Sequence, residues 1–314
     1  TQRLRRRLAG LWLFGALHAV LLFHGDILTS YALLGLGLLA LRHWQDARLL
    51  RLAAWLIGLT ALAWGLLAAL LALEPLPPDR ALILAEAQAA TRAYRAGAAS
   101  VVAQHLRELP TVGVMLVFVQ APCALAMFLV GLVAGRRKLL ARVQLHRPLL
   151  RGLLRLGLLI GLPGAAVYAY SAVYLLDAPA LSLAGFAIGL ATAPLLTGAY
   201  VALAMAGFER SPGLRRLLAP AGRMALSNYL LQSAACALIF HAYGLGLIGR
   251  LAPLPVLLIG LALFALQLLI SHWWMNRFAY GGLEWLLRAI TLGRWPPWRK
   301  ATSNPGRAAS ASAG

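Results

Sequence analysis

The sequence predicts an all-α protein, a polytopic integral membrane helical bundle of about eight transmembrane helices with both chain ends on the cytoplasmic side. Three observations predict it. Of 314 residues, 61% are hydrophobic and only 12% are charged, with a mean hydropathy of +0.77. A soluble domain has about 45–50% apolar and about 25% charged residues, so this chain lacks the charges to clothe a water-facing surface. The apolar residues are gathered into long runs, and the basic residues recur in short clusters between them. A net charge of +20 spread in that way is the signature of loops on one side of a bilayer, not of a nucleic-acid-binding stripe.

A helix crosses the hydrocarbon with about 20 mostly apolar residues. The runs that qualify or nearly do are 8–23, 27–41, 52–73, 111–134, 152–175, 181–207, 224–246 and 253–275. The first two are short and are joined by the tight turn His24-Gly25-Asp26. Strands are excluded because the runs are long, rich in Leu and Ala, and do not alternate. With the amino end inside, the inner segments 1–7, 42–51, 135–151 with Arg155, 208–223 and 275–314 carry 24 of the 29 basic residues. The outer segments carry five, together with Asp26, Glu74, Asp79, Glu86, Glu108 and Asp177. The excess of Lys and Arg fixes the orientation.

The chain divides into helices one to four with an outer loop at 74–110 (1–134), a C-terminal membrane domain (135–300) and a small, polar tail expected to be disordered (301–314). The outer loop opens on the breaker cluster Glu74–Asp79 and continues as one or two amphipathic helices or a solvated connector. Glu284 and Arg288, four residues apart, suit an exposed helix face, and Trp285, Trp295 and Trp298 an interfacial belt. Pro122, Pro163 and Pro194 are candidate kinks. Cys123 and Cys236 lie in apolar runs and suggest neither a disulfide nor a metal site. The chain opens at Thr1 with no cleavage site, so a preceding N-terminal portion is expected.

Ionisable groups within a membrane are costly and mark function. An outer layer contains His18, His24, Asp26 and His241. A histidine with a carboxylate serves as a general base with an orienting partner, or as a proton relay, which makes His18 and Asp26 the catalytic candidates. Against that, Asp26 precedes a helix as an N-cap does, and His24 and His241 suit snorkelling at the interface. An inner layer contains Arg223, Ser227, Asn228, Gln232 and Ser233, then Gln267, Ser271 and His272. These faces either bond helices together or line a substrate path. No acyl-hydrolase elbow, Walker loop, zinc-protease or dinucleotide motif appears.

The segments LFGALHAVLLFHGDILTSYALLG (13–35), GRMALSNYLLQS (222–233) and FAYGGLEWLLRAITLG (278–293) together resemble the YeiB-like bacterial inner-membrane proteins and their C-terminal domain of unknown function. The resemblance implies a multi-pass protein of the bacterial inner membrane, associated with transport in some descriptions. It also implies kinship with transmembrane acyltransferases such as the lysosomal heparan N-acetyltransferase. The histidine and Asp/Arg-Gly signature of that wider group is not visible here. The matching positions are His18, Gly25, Asp26, Asn228, Gln232, Gly282, Glu284 and Trp285.

Three readings follow. The leading one is an acyltransferase-like enzyme acting on an extracytoplasmic or lipid-linked acceptor, with acyl-CoA as co-substrate and no other cofactor evident. The second is a transporter or exporter of a small solute, with His24, Arg223, Asn228, Gln232, His241, Gln267 and Glu284 lining its path. The third is an envelope-maintenance protein without turnover. The expected partners are the lipid bilayer and an unidentified small or lipid-linked substrate, not nucleic acid. Sequence leaves the oligomeric state open.

Overall fold

The structure, a computed structural model, describes residues 2–73 and 79–300. The tail at 301–314 and most of the breaker cluster lie outside the described residues. Those described are all-helical, with a single isolated bridge between Phe278 and Arg299 and no strand. The helices are α1 (Gln2–Leu21), α2 (Leu28–Leu41), α3 (Asp46–Leu73), α4 (Arg80–Ala96), α5 (Ala98–Met115), α6 (Ala121–Arg136), α7 (Arg147–Leu156), α8 (Leu162–Tyr174), α9 (Pro179–Arg210), α10 (Pro212–Arg223), α11 (Ala225–Phe240), α12 (Pro253–Arg277) and α13 (Gly282–Leu292).

Five helical stretches are long and apolar enough to cross a membrane: Asp46–Leu73, Ala98–Arg136, Val143–Tyr174, Pro179–Arg210 and Pro253–Arg277. Leu28–Leu41 and Ala225–Phe240 are shorter apolar helices. Their outward faces are apolar: Leu73 is 78% exposed, Leu159 74% and Leu269 67%. Water would charge heavily for that much exposed leucine, and lipid does not. This is the make-up of a multi-pass membrane protein.

Two of the stretches contain a wider helical turn, Leu116–Gln120 between α5 and α6 and Gly157–Gly161 between α7 and α8. Pro122 and Pro163 follow these turns. A proline ring crowds the carbonyl four residues back and offers no N–H, and a widened turn absorbs both defects. Pro194, by contrast, sits inside an unbroken α9.

The expected outer connector after Asp79 is a helical hairpin, α4 and α5, broken at Gly97. Asp79 caps α4 by accepting from the Leu82 N–H at 3.1 Å. The expected seventh span, 224–246, is corrected: α11 ends at Phe240. The chain then folds back over the helix end, Leu245 donating to the Leu238 carbonyl and Ile248 to Phe240. Gly246 and Gly249 supply the left-handed backbone this reversal needs (φ 61° and 65°).

α3 packs between α6 and α9, and α9 takes α7 and α8 on another side. Leu49, Ala53, Ala126, Leu129 and Val133 form the buried centre of the α3–α6 contact. The α7–α8 stretch meets α9 on glycines. A Cβ at Gly161 would stand 2.6 Å from the Leu196 nitrogen, and Gly157 and Gly164 are as tight against Leu195 and Thr192. Without a hydrophobic drive between helices in lipid, such close backbone approach is what holds them. Gly161→Ala is expected to cost about 1–3 kcal/mol by overpacking, read as a lowered Tm in detergent. Gly58, with open space beyond it, is the control whose Tm should hold.

The polar cross-links fall at two ends. At one end Arg136 donates to Asp46 (2.9 Å) and Trp44 O (2.8 Å), and Arg137 to Asp46 (3.0 Å). Gln144 and Arg147 reach Glu209, and Arg223 reaches the Ala279 carbonyl. At the other end Arg80 pairs with Asp177 and Arg95 donates to the Ile248 carbonyl. The tryptophans expected in a belt pack on one another: Trp285 stacks on Trp295 at 4.8 Å, with Trp298 edge-on to Trp285 at 4.4 Å.

Candidate functional site

His18 lies one turn before the end of α1, and Asp26 stands in the turn that leads to α2. Their side chains are 0% and 1% exposed, with His18 Nδ1 2.9 Å from Asp26 Oδ1. The other carboxylate oxygen accepts from the Thr29 N–H (2.8 Å) and hydroxyl (2.9 Å). Asp26 therefore does both things the sequence allows: it caps the first turn of α2 and orients a histidine. Gly15 makes this possible, since a Cβ there would stand 2.5 Å from Asp26 Oδ2.

Burial alone would raise the Asp26 carboxyl above the ordinary range. The hydrogen bonds from His18 and Thr29 outweigh it and hold the group below that range. An ionised Asp26 accepts only, so His18 Nδ1 must carry the proton it donates. The Nε2 lone pair is left free to take another. His18 Nε2 is buried and has no hydrogen-bond partner among the described residues.

The His18 ring rests on Tyr229 of α11, with centroids 4.9 Å apart. Tyr229 lines two cavities. The larger, about 720 Å³, runs past Ile27 and Tyr31 to a mouth with Arg7, Arg223 and Arg288 from three helices. None of these arginines has an ion-pair partner among the described residues. The smaller, about 490 Å³, lies on the other side, against Phe23, Gln232, Ser233, Cys236, Phe240 and His241. Both volumes are in the range of small-molecule sites.

The polar residues of α11 and α12 separate into two roles. Asn228 and Gln267 bind helices together: Asn228 donates to Ser271 at 2.9 Å, and Gln267 to the Asn228 carbonyl at 2.8 Å. Gln232 is not in that network and faces the smaller cavity. Glu284 is corrected. Rather than pairing with Arg288 on an exposed face, it accepts from Leu226 N (2.7 Å), Ser227 N (3.0 Å) and the Ser227 hydroxyl (2.5 Å). It thereby caps α11 from α13.

His24, His105 and His241 come together with Tyr94 and Glu108. His24 Nδ1 is 3.0 Å from Glu108, which also accepts from the Tyr94 hydroxyl (2.5 Å) and Gln104 (2.8 Å). Burial, with His105 adding to it and Glu108 opposing, lowers the His24 pKa below the ordinary histidine value. His24 is held by Glu108, and His241 stacks on Tyr94 at 4.7 Å. Among the described residues no cluster of His, Cys, Asp or Glu has the arrangement of a metal site.

Residues 134–294 match the family described as "Protein of unknown function (DUF418)". The chain is 32% identical over 312 residues to the uncharacterised protein YxaH of Bacillus subtilis (strain 168), covering 95% of this chain and 73% of that one. The chain belongs to the DUF418 family. This DUF418 protein is also 35% identical to an uncharacterised 39.9 kDa protein in the amylase 3′ region of Bacillus acidopullulyticus, over 34% of this chain and 31% of that one. With YeiB of Escherichia coli (strain K12), likewise uncharacterised, it shares 38% identity over 27% of this chain and 22% of that one. No solved structure matches. The YeiB-like resemblance thus stands as family membership.

Sequence reasoning missed Tyr229, His105, Gly15, Thr29 and Arg7. Only Thr29 had a readable signal, three residues after Asp26 at the spacing of an N-cap partner.

Proposed function

We propose that this DUF418 protein is a membrane-embedded acyltransferase of the bacterial inner membrane. His18 is its general base, and Asp26 orients that base. The observation that carries the reading is the buried 2.9 Å His18–Asp26 pair lying against Tyr229, which belongs to both cavities. The donor is an acyl thioester such as acyl-CoA, its phosphates at the mouth with Arg7, Arg223 and Arg288 and its acyl end toward Tyr229. The acceptor is a hydroxyl-bearing, extracytoplasmic or lipid-linked molecule in the smaller cavity. His18 Nε2 takes the acceptor's hydroxyl proton as its oxygen attacks the thioester carbonyl. The C–S bond breaks, and the departing thiolate recovers the proton from His18. No proton or electron is left over.

The reading includes eight crossings with both ends cytoplasmic, α1, α2 and α11 being the short ones. Its support is that each polar cross-link joins segments assigned to the same side: 42–46 with 136–137, 144–147 with 209, 223 with 279, and 80 with 177. Introduced cysteines at 80–105 should label from outside, and those at 136–147 only after permeabilisation.

The enzymatic test incubates the purified protein in liposomes with radiolabelled acetyl-CoA and membrane lipid extract. Transfer of label to lipid or glycan, or to the protein, is expected. Replacing Arg7, Arg223 and Arg288 together by Gln should raise the donor KM by about 100-fold, at about 1 kcal/mol for each of these exposed contacts. The absence of any transfer with a range of acyl donors would remove the reading. Two cavities meeting at one side chain also suit a carrier. Solute flux that survives His18→Asn but depends on Gln232 would favour that second reading.

A further inference from the structure

We propose that His24, His105 and His241 form an acid-sensitive latch at the outer end of the molecule. Neutral, they hold the α4–α5 hairpin against the wall of the smaller cavity; protonated, they release it and open that cavity. The proposal stands apart from acyl transfer and does not require it.

The three rings come from three elements: the α1–α2 turn, α5, and the segment after α11. His24 and His105 have centroids 5.6 Å apart, as do His105 and His241. Tyr94 of α4 joins them, stacked on His241 and 5.5 Å from His105. His105, fully buried, has its Nδ1 2.9 Å from the Val20 carbonyl of α1, which can only accept, so that nitrogen donates.

The arrangement is built for uncharged rings. His105 Nε2 and His241 Nδ1 are buried without a hydrogen-bond partner among the described residues. A lone pair tolerates that, but a protonated ring would place an N–H there with nothing to accept it. Among the described residues the carboxylate at the cluster is Glu108, 3.0 Å from His24 Nδ1, and it already accepts from Tyr94 and Gln104. It can balance one proton, shared with His24, but not three. Arg95, next to Tyr94, is engaged by the Ile248 carbonyl. Arg92, Arg107 and Arg250 give the cluster no hydrogen bond, and the Tyr243 hydroxyl is itself buried without a partner. Asp26 lies beyond Phe23 and is taken up by His18.

The sign follows. The folded state refuses protons that a loosened one binds, so the closed form is favoured above the ordinary histidine range and weakened as pH falls through it. The lowered His24 pKa agrees. What opens is set by position: Phe23 and His241 line the smaller cavity, and both are backed by the hairpin through His24 and Tyr94.

The test uses the full chain in detergent with Cys123→Ser, which leaves Cys236 in the cavity lining as the remaining thiol. Its reaction with 4,4′-dithiodipyridine, a disulfide that thiols attack in acid as well, with release of pyridinethione, is timed at about pH 7.5 and about pH 5.5, on either side of the histidine range. Rates are taken relative to the denatured chain at the same pH. The relative rate is expected to rise about fivefold or more in acid, the equivalent of a local opening eased by about 1 kcal/mol. In His24→Gln with His241→Gln the rise should vanish. If that variant does not fold, His24→Gln alone, a partly exposed position, should at least halve it. A relative rate indifferent to pH overturns the latch, and so does a full-sized rise in the variant.

Discussion

Replacing His18 by Asn is expected to lower acyl transfer by about 100- to 10,000-fold, the usual contribution of a positioned general base, with the donor KM little changed. The side chain is fully buried but makes one hydrogen bond, to Asp26, and an amide can keep it. Asp26→Asn should cost nearly as much by another route. Asparagine still caps the Thr29 N–H, so α2 should form. The amide nitrogen, however, can only donate toward His18, which pushes the imidazole proton from Nδ1 to Nε2 and removes the lone pair that does the work. A merely structural role for the pair predicts a lowered Tm with kcat unmoved. A catalytic role predicts the reverse for Asp26→Asn. In the parent protein the depressed Asp26 carboxyl adds stability that is present above the ordinary carboxylate range, about pH 4, and is lost as pH falls through its folded value.

His18 and Asp26 could be picked out from sequence because an ionisable group in an apolar run needs a reason. The apolar runs were legible for the same kind of reason, length and composition, and helices occupy most of each, although the seventh stops at Phe240. What lies opposite His18 was not legible. In a soluble helix the buried face is betrayed by its contrast with a polar one. Here lipid and core are both apolar, so α11 shows no face, and nothing in its sequence says that Tyr229 turns toward α1. The glycines at 157, 161 and 164 were passed over likewise, because tightness is a property of two helices and not of one. His105 was read within an outer connector, yet it is fully buried. Its burial depends on the α4–α5 hairpin folding back over the bundle, a long-range event that local sequence does not encode.

The Glu284 spacing misled for a related reason. Four residues from Arg288 on one helix, it fitted an exposed pair, but a carboxylate is drawn more strongly to unpaired backbone donors than to a solvated guanidinium. α11 begins at Ala225, so the Leu226 and Ser227 N–H groups are among those with no partner inside the helix. Glu284→Ala would strand both, together with a Ser227 hydroxyl that also accepts from Leu283. Hydrogen bonds to a charged group contribute about 1.5–3 kcal/mol, and two orphaned donors make a loss of about 3–4 kcal/mol the expectation. Glu284→Gln keeps one oxygen for the two N–H groups and should lose only about 1 kcal/mol, chiefly the charge–dipole share. Arg288→Gln, which leaves the cap untouched, should not lower the Tm, although it should weaken donor binding at the cavity mouth. Thermal unfolding of the three variants in one detergent separates these outcomes. Equal midpoints for Glu284→Ala and the parent would mean that the carboxylate does not hold α11. In that case its place in the lining of the larger cavity would have to be explained by substrate instead.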